Sequence, residues 1–132
     1  MTAAVTIVSY GVLHPDTPTS TPDVVVDVTT ALRNPPEDPR VRERMLQLTG
    51  TDAEVFDYVM NTPGAGAIID NAFDEILKLV EDGSPSPVTV HSKCKGGKHR
   101  SVAIAEALGR RLQDQGVTVT VSHPHKDRPI IK

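Results

Sequence analysis

Residues 88–105 read VTVHSKCKGGKHRSVAIA, and this stretch decides how the rest of the chain is interpreted. It begins as a short β-branched strand, turns at two glycines among basic side chains, and continues into an apolar helix. Glycines permit a tight turn whose N–H groups approach a ligand closely, and a helix N-terminus adds free donors and partial positive charge. The pattern predicts a phosphate-binding loop, although a basic surface turn could carry the same glycines. The residues predicted to bind phosphate are Lys95, Gly96, Gly97, Lys98, His99, Arg100 and Ser101.

Two known phosphate motifs can be compared with this loop. The nucleoside-triphosphate signature requires Gly-Lys followed by Ser or Thr, whereas Gly97-Lys98 is followed by His99, so that motif is absent. The loop of cysteine phosphatases fits better, because Cys94 is separated by five residues from Arg100. In such enzymes a thiolate attacks phosphorus while the arginine holds the phosphate oxygens. Catalysis by Cys94 and Arg100 therefore stays open, although Lys93 stands where those enzymes usually carry histidine and no acidic partner is identifiable by motif.

The composition predicts one domain over residues 1–132, large enough to bury a core without disulfides. The single cysteine fits a reducing cytoplasm, and the sequence contains neither a secretory pattern nor an apolar run long enough for a membrane span. A net charge of −3 with no tryptophan argues against broad nucleic-acid binding. We therefore expect a cytoplasmic domain that binds a phosphorylated small molecule and needs no cofactor, metal or membrane.

Strands alternate with helices along the chain. Strands are predicted at 4–9, 24–28, from 88 into the loop, and at 117–121, with helices at 41–48, from 51, at 67–80 and after the loop. Thr51 and Glu54 form a capping-box pattern that predicts the start of the second helix. The alternation predicts an α/β fold with a small, mostly parallel four-stranded sheet, and the valines of 24–28 favour a sheet covered on both faces.

Three further residues are predicted to approach the phosphate-binding loop, because the loops after neighbouring parallel strands meet at one edge. They are Asp27, at the end of the second strand, and Arg33 and Asn34, in the proline-rich segment after it. The alternatives are a turn-forming role for Asp27 and a plain connector for the proline-rich segment. In the tail, His123 and His125 are interpreted as exposed or hydrogen-bonding residues rather than as metal ligands, since no cysteine or acidic partner has suitable spacing.

The quoted loop also carries a family resemblance. Residues 94–102, CKGGKHRSV, closely resemble the CTGGKHRSV signature of the RapZ C-terminal domain family, RNase adaptor proteins grouped with YvcJ-like nucleotide-binding proteins. Asp27-Val28 with Asn34-Pro35 is similar to the family's DVR…NP segment, and residues 48–59 are similar to its LTG-x-D…YV helix. The resemblance therefore extends over nearly the whole chain.

The resemblance implies a function in metabolite sensing. It suggests a domain that binds a sugar phosphate, with glucosamine-6-phosphate as the family's ligand, and it also implies small-RNA binding and possible homo-oligomers. The family's separate nucleotide-binding domain does not occur in these 132 residues. This chain departs from the family at Lys95, which replaces a threonine, and at Thr29, which replaces an arginine for which Arg33 could substitute. Its tail carries few cations, namely Lys126, Arg128 and Lys132.

Overall fold

The computed structural model describes residues 4–32, 36–82 and 87–128. Its strands are β1 (Ala4–Gly11), β2 (Val24–Asp27), β3 (Val88–Cys94) and β4 (Thr118–Ser122). Its helices are α1 (Pro39–Leu46), α2 (Ala53–Met60), α3 (Ala65–Glu81) and α4 (Arg100–Asp114). The four strands form one parallel sheet in the order β2-β3-β1-β4, which confirms the predicted α/β class. None of the described helices is long and apolar enough to cross a membrane.

The core lies between one face of the sheet and two helices. Val5, Ile7 and Val90 are fully buried on this face, where they pack in one cluster with residues of α3 and α4. Helix α4 lies against β1, β3 and β4, and α3 covers β2. Because α4 packs on the central strands, its first residues are held at the carboxyl end of β3.

The other face of the sheet corrects one prediction. The valines of the second strand favoured a sheet covered on both faces, but Val25 is 48% exposed. No described helix packs on this side. Its partial cover comes from the segment between β1 and β2, where Ser20 bonds to His91 and Asp23 bonds to Thr89. β2 is an edge strand whose outer face is left uncovered, so Val25 points to solvent while Val24 and Val26 are buried.

The capping box predicted at Thr51 is wrong. The residue that caps α2 is Asp52, and its side chain makes no capping bond but accepts a hydrogen bond from the Thr49 amide at 2.8 Å. The Thr51 hydroxyl is bonded to the Thr49 hydroxyl instead. Glu54, the other half of the predicted box, forms an ion pair with Arg44 of α1. A local partner, Thr49, therefore binds the Thr51 hydroxyl, and a partner on α1 binds Glu54, so neither side chain forms the capping box.

Candidate functional site

Residues Cys94–Ser101, called the anion loop below, connect the end of β3 to the start of α4. Gly97 has a φ of +74°, a conformation that glycine adopts without strain. A Cβ atom on Gly97 would lie 2.4 Å from the Gly11 nitrogen, so the loop rests directly on the backbone at the end of β1. Both the turn and the close approach explain why glycine is needed at this position.

The backbone N–H groups of the anion loop are largely available to a ligand. Gly97 donates to the Cys94 sulfur at 3.1 Å. Within the described parts of the chain, no protein acceptor is bonded to the N–H groups of Gly96, Lys98, His99, Arg100 or Ser101. The last two belong to the first turn of α4, where N–H groups have no partner within the helix. Such a run of free donors at a helix N-terminus is suited to bind an anion.

Cys94 lies at the base of the anion loop and is 3% exposed. Its sulfur lies 3.1 Å from the Ser101 hydroxyl, in addition to accepting the Gly97 N–H. Ser101 is itself buried, and its carbonyl accepts a hydrogen bond from Ser92. The side chain of Ser101 is therefore committed to the loop interior, and only its backbone N–H remains for a ligand.

The Arg100 side chain extends toward the segment after β2. Its Nη1 atom donates to the carbonyl oxygens of Val28 at 2.8 Å and Ala31 at 2.9 Å. The Nε and Nη2 donors have no acceptor within the described ranges. Arg100 is therefore anchored by one nitrogen, and its other guanidinium nitrogens have donors without a described acceptor.

The side chain of His99, a predicted phosphate-binding residue, is hydrogen-bonded to the protein itself. Its Nε2 atom donates to the carbonyls of Met45 and Leu48, which ties the loop to the end of α1. Burial lowers the pKa of His99, partly offset by these carbonyls, and the neighbouring Lys98 and Arg100 lower it further. The imidazole is neutral at neutral pH, so His99 contributes no full charge to the site.

The remaining predicted residues lie at the rim or outside the described ranges. Asp27 lies opposite Lys93 in the register, and their charged atoms are 3.9 Å apart. Hydrogen bonding from Thr29 lowers the pKa of Asp27, so its carboxylate is ionised and serves a turn. Lys95 is exposed and Lys98 half-buried. Arg33 and Asn34 lie outside the described residues.

Two histidines that were not predicted as site residues hydrogen-bond to the anion loop or to the β1 backbone on which it rests. His14 donates from Nε2 to the Gly96 carbonyl at 3.0 Å. His125, which is fully buried, accepts the Gly11 N–H at its Nδ1 atom, also at 3.0 Å. No local pattern identifies either residue, because each meets its partner across a long stretch of sequence.

The predicted hydrogen-bonding role of the tail histidines is confirmed, although neither is exposed as the alternative allowed. His123 connects the Ser9 hydroxyl at 2.5 Å with Glu106 at 2.8 Å. Among the described residues, no group of three or more histidine, cysteine or acidic side chains could hold a metal ion. The tail cations Lys126 and Arg128 form ion pairs with Asp127 and Asp16.

A cavity of about 300 Å³ lies beside His99 and Arg100. It is bounded by α1 and α2 and is mainly apolar, with Met45, Val59 and Tyr58 in its wall. The anion loop thus carries N–H donors along its backbone and borders an apolar cavity at His99 and Arg100.

Comparison with known proteins identifies the family of the chain. A family model described as the RapZ C-terminal domain matches residues 3–127. A protein named nucleotide-binding protein from Mycolicibacterium vanbaalenii is 45% identical over 105 residues, covering 76% of this chain and 31% of that protein. A namesake from Bifidobacterium adolescentis is 39% identical over 110 residues, covering 80% of this chain and 34% of its own length. Nucleotide-binding protein jk1004 from Corynebacterium jeikeium is 37% identical over 131 residues, with shares of 94% and 41%. The chain therefore spans about a third of the length of these curated relatives.

Proposed function

The chain belongs to the RapZ C-terminal domain family, and from that premise we propose that it binds a phosphorylated small metabolite of the cytoplasm in a sensing or regulatory role. A sugar phosphate such as glucosamine-6-phosphate is the ligand that the loop resemblance suggests. The relatives' name concerns proteins of which this chain matches only about a third, so nucleotide binding is not part of the proposal.

One observation supports the proposal: the N–H groups of Gly96 and Lys98–Ser101 have no acceptor among the described residues, and Arg100 belongs to the same loop. Backbone donors at a helix start favour an oxyanion, and an arginine fork adds charge-assisted bonds of about 1.5–3 kcal/mol each. Lys98 supplies a further cation, and Asp27, which ends the strand beside β3, is our candidate for contact with a hydroxyl or amine of the ligand.

Replacement of Arg100 with alanine tests the proposal. We expect the affinity for the sugar phosphate that binds the unmodified protein to fall about tenfold or more, because charge-assisted bonds to the anion are lost. Calorimetry with a panel of sugar phosphates and inorganic phosphate measures this. Arg111→Ala is the matched control, since it removes an exposed cation from the far end of the same helix. Failure of every phosphorylated compound to bind, or equal binding by Arg100→Ala, would refute the proposal.

A cysteine-dependent phosphatase is the second candidate, because the Gly97 N–H donates to the Cys94 sulfur and the nearby Ser101 hydroxyl could also donate to a thiolate. Such an enzyme also needs a protonated carboxyl group for the leaving group. The carboxylate at the rim is Asp27, whose lowered pKa keeps it ionised at neutral pH. Binding without turnover therefore fits the arrangement better.

Cys94→Ser separates the two candidates. Serine can accept the Gly97 N–H in place of sulfur, so we expect phosphate affinity to stay within about threefold of the original. We also expect no turnover of an aryl phosphate by the unmodified protein. Turnover that disappears in Cys94→Ser would instead establish the phosphatase.

Small-RNA binding, implied by the same resemblance, receives less support from the tail. Lys126 and Arg128 are both engaged with carboxylates, which leaves less positive charge for RNA phosphates. Homo-oligomers remain an expectation from the family resemblance.

A further inference from the structure

The anion loop is held by a pair of histidines, His14 and His125, called the histidine latch below. Their rings lie 4.2 Å apart between centroids, at an angle of 45°. His14 holds the loop itself through the Gly96 carbonyl, whereas His125 holds Gly11, the residue on which the loop rests. A Cβ on Gly11 would lie only 2.4 Å from the Gly96 carbonyl carbon, so a displacement of Gly11 must displace the loop.

The hydrogen bonds determine where the latch carries its protons. A backbone N–H can only donate, so the Nδ1 atom of His125 has no proton. Its Nε2 atom therefore carries one and donates to the Asp16 carbonyl at 3.2 Å. His14 donates from Nε2 to a carbonyl in the same way. The latch is thus complete only while His125 is neutral.

We propose that the histidine latch sets the shape of the anion loop, and that proton uptake at Nδ1 of His125 opens the latch and weakens anion binding. A proton on Nδ1 would face the Gly11 N–H, so a donor would oppose a donor and the bond would break. The effect on loop shape follows from these contacts alone, whereas the effect on affinity rests on the function proposed above.

The groups that face His125 set the pH range of this opening. They are His14, Asp16 and Arg128. Burial lowers the pKa of His125, with His14 and Arg128 acting in the same direction and Asp16 opposing them. Asp16 is itself held by Arg128, so much of its charge is already compensated. The latch is therefore closed at neutral pH and opens on the acid side of the ordinary histidine range.

Sulfate is a suitable probe, because it stays doubly charged from about pH 8 to about pH 5, where histidine titrates and phosphate changes its own charge. Its affinity for the full chain is measured by NMR titration across this range, with the amide signals of Gly11 and Gly97 followed in the same spectra. His125→Asn keeps an acceptor for the Gly11 N–H but does not titrate, whereas His125→Leu keeps neither property. His91→Asn is the matched control, since His91 is also buried but contacts Tyr10 and Ser20 rather than the loop.

We expect sulfate affinity to fall as the pH is lowered in the unmodified protein and in His91→Asn, and not to fall in His125→Asn. His125→Leu should bind about tenfold more weakly at every pH and shift the Gly97 amide signal, because the buried Gly11 N–H loses its acceptor. A wild-type pH dependence in His125→Asn, or unchanged binding and spectra in His125→Leu, would overturn the proposal. If sulfate does not bind the unmodified protein at any pH, the anion-binding function fails, and the Gly97 signal alone decides the latch. A shift in His125→Leu but not in His125→Asn then supports it, and no shift in either overturns it.

Discussion

Gly97→Ala is expected to abolish anion binding and to lower the free energy of unfolding by at least about 2 kcal/mol. Two independent reasons add together at this position. The residue has a φ of +74°, which alanine adopts only with strain, and its Cβ would lie 2.4 Å from the Gly11 nitrogen and 2.8 Å from the Tyr10 carbonyl carbon. Both clashing atoms belong to the backbone of β1, so the loop must move away from the sheet. The available N–H groups would then lose their arrangement. Calorimetry with the sugar phosphate that binds the unmodified protein measures the loss of affinity. Urea denaturation measures the change in the free energy of unfolding.

The neighbouring glycine supplies the control. A Cβ on Gly96 meets no described atom within 4 Å, and Gly96 is not among the described residues with positive φ. Gly96→Ala should therefore change the free energy of unfolding by no more than about 0.5 kcal/mol and leave affinity nearly unchanged. If Gly97→Ala bound the anion as well as Gly96→Ala does, the loop could not be the site.

The second large effect is acid destabilisation by histidines that are buried in the neutral form. Burial is the main cause that lowers the pKa of His91, His99 and His125. In the unfolded chain these residues regain a pKa of about 6.5, so below that pH the unfolded state binds more protons than the folded state. Stability is therefore fully present above about pH 6.5 and is lost progressively as the pH falls toward the folded values. Each unit of pKa difference corresponds to about 1.4 kcal/mol, and three residues contribute in the same direction.

Urea denaturation between about pH 8 and pH 5 measures this loss. The carboxylates act in a separate range, because Asp16, whose pKa is lowered to about 2 by Arg128, and Asp27 contribute stability that disappears only below about pH 4. His91→Gln should reduce the pH slope of stability, since one fewer histidine takes up a proton on unfolding. A midpoint that does not change between pH 8 and pH 5 would contradict the assignment of these residues as neutral.

The strand and helix order could be predicted from the sequence because it depends on local periodicity. Helix α3 was expected at 67–80 and occupies Ala65–Glu81, and the strand-loop-helix around Gly97 lies where the pattern indicated. The exposed face of Val25 could not be predicted, because the valine run does not reveal that β2 lies at the edge of the sheet.

The candidate site was predicted only in part, for a similar reason. The glycines and Arg100 share one short motif, so their proximity follows from sequence. The contacts of His14, His91 and His125 join residues far apart in the chain, and a single histidine carries no signal of its future partner. For His99 the motif indicated a position in the loop. It gave no sign that the imidazole would hydrogen-bond to the carbonyls of Met45 and Leu48.

The strand order has a consequence for folding during synthesis on the ribosome. β1 precedes the other three strands of the sheet along the chain, yet Val5 pairs with Val88 and Ala4 with Thr118. β1 lies between β3 and β4, which follow it late in the chain. Pairing between such distant segments slows folding. Until β3 and β4 leave the exit tunnel, an apolar strand with both edges open is exposed to other chains. A nascent chain arrested before Val117 should therefore be captured by chaperones or aggregate, whereas a chain in which β3 and β4 have left the tunnel can complete the sheet.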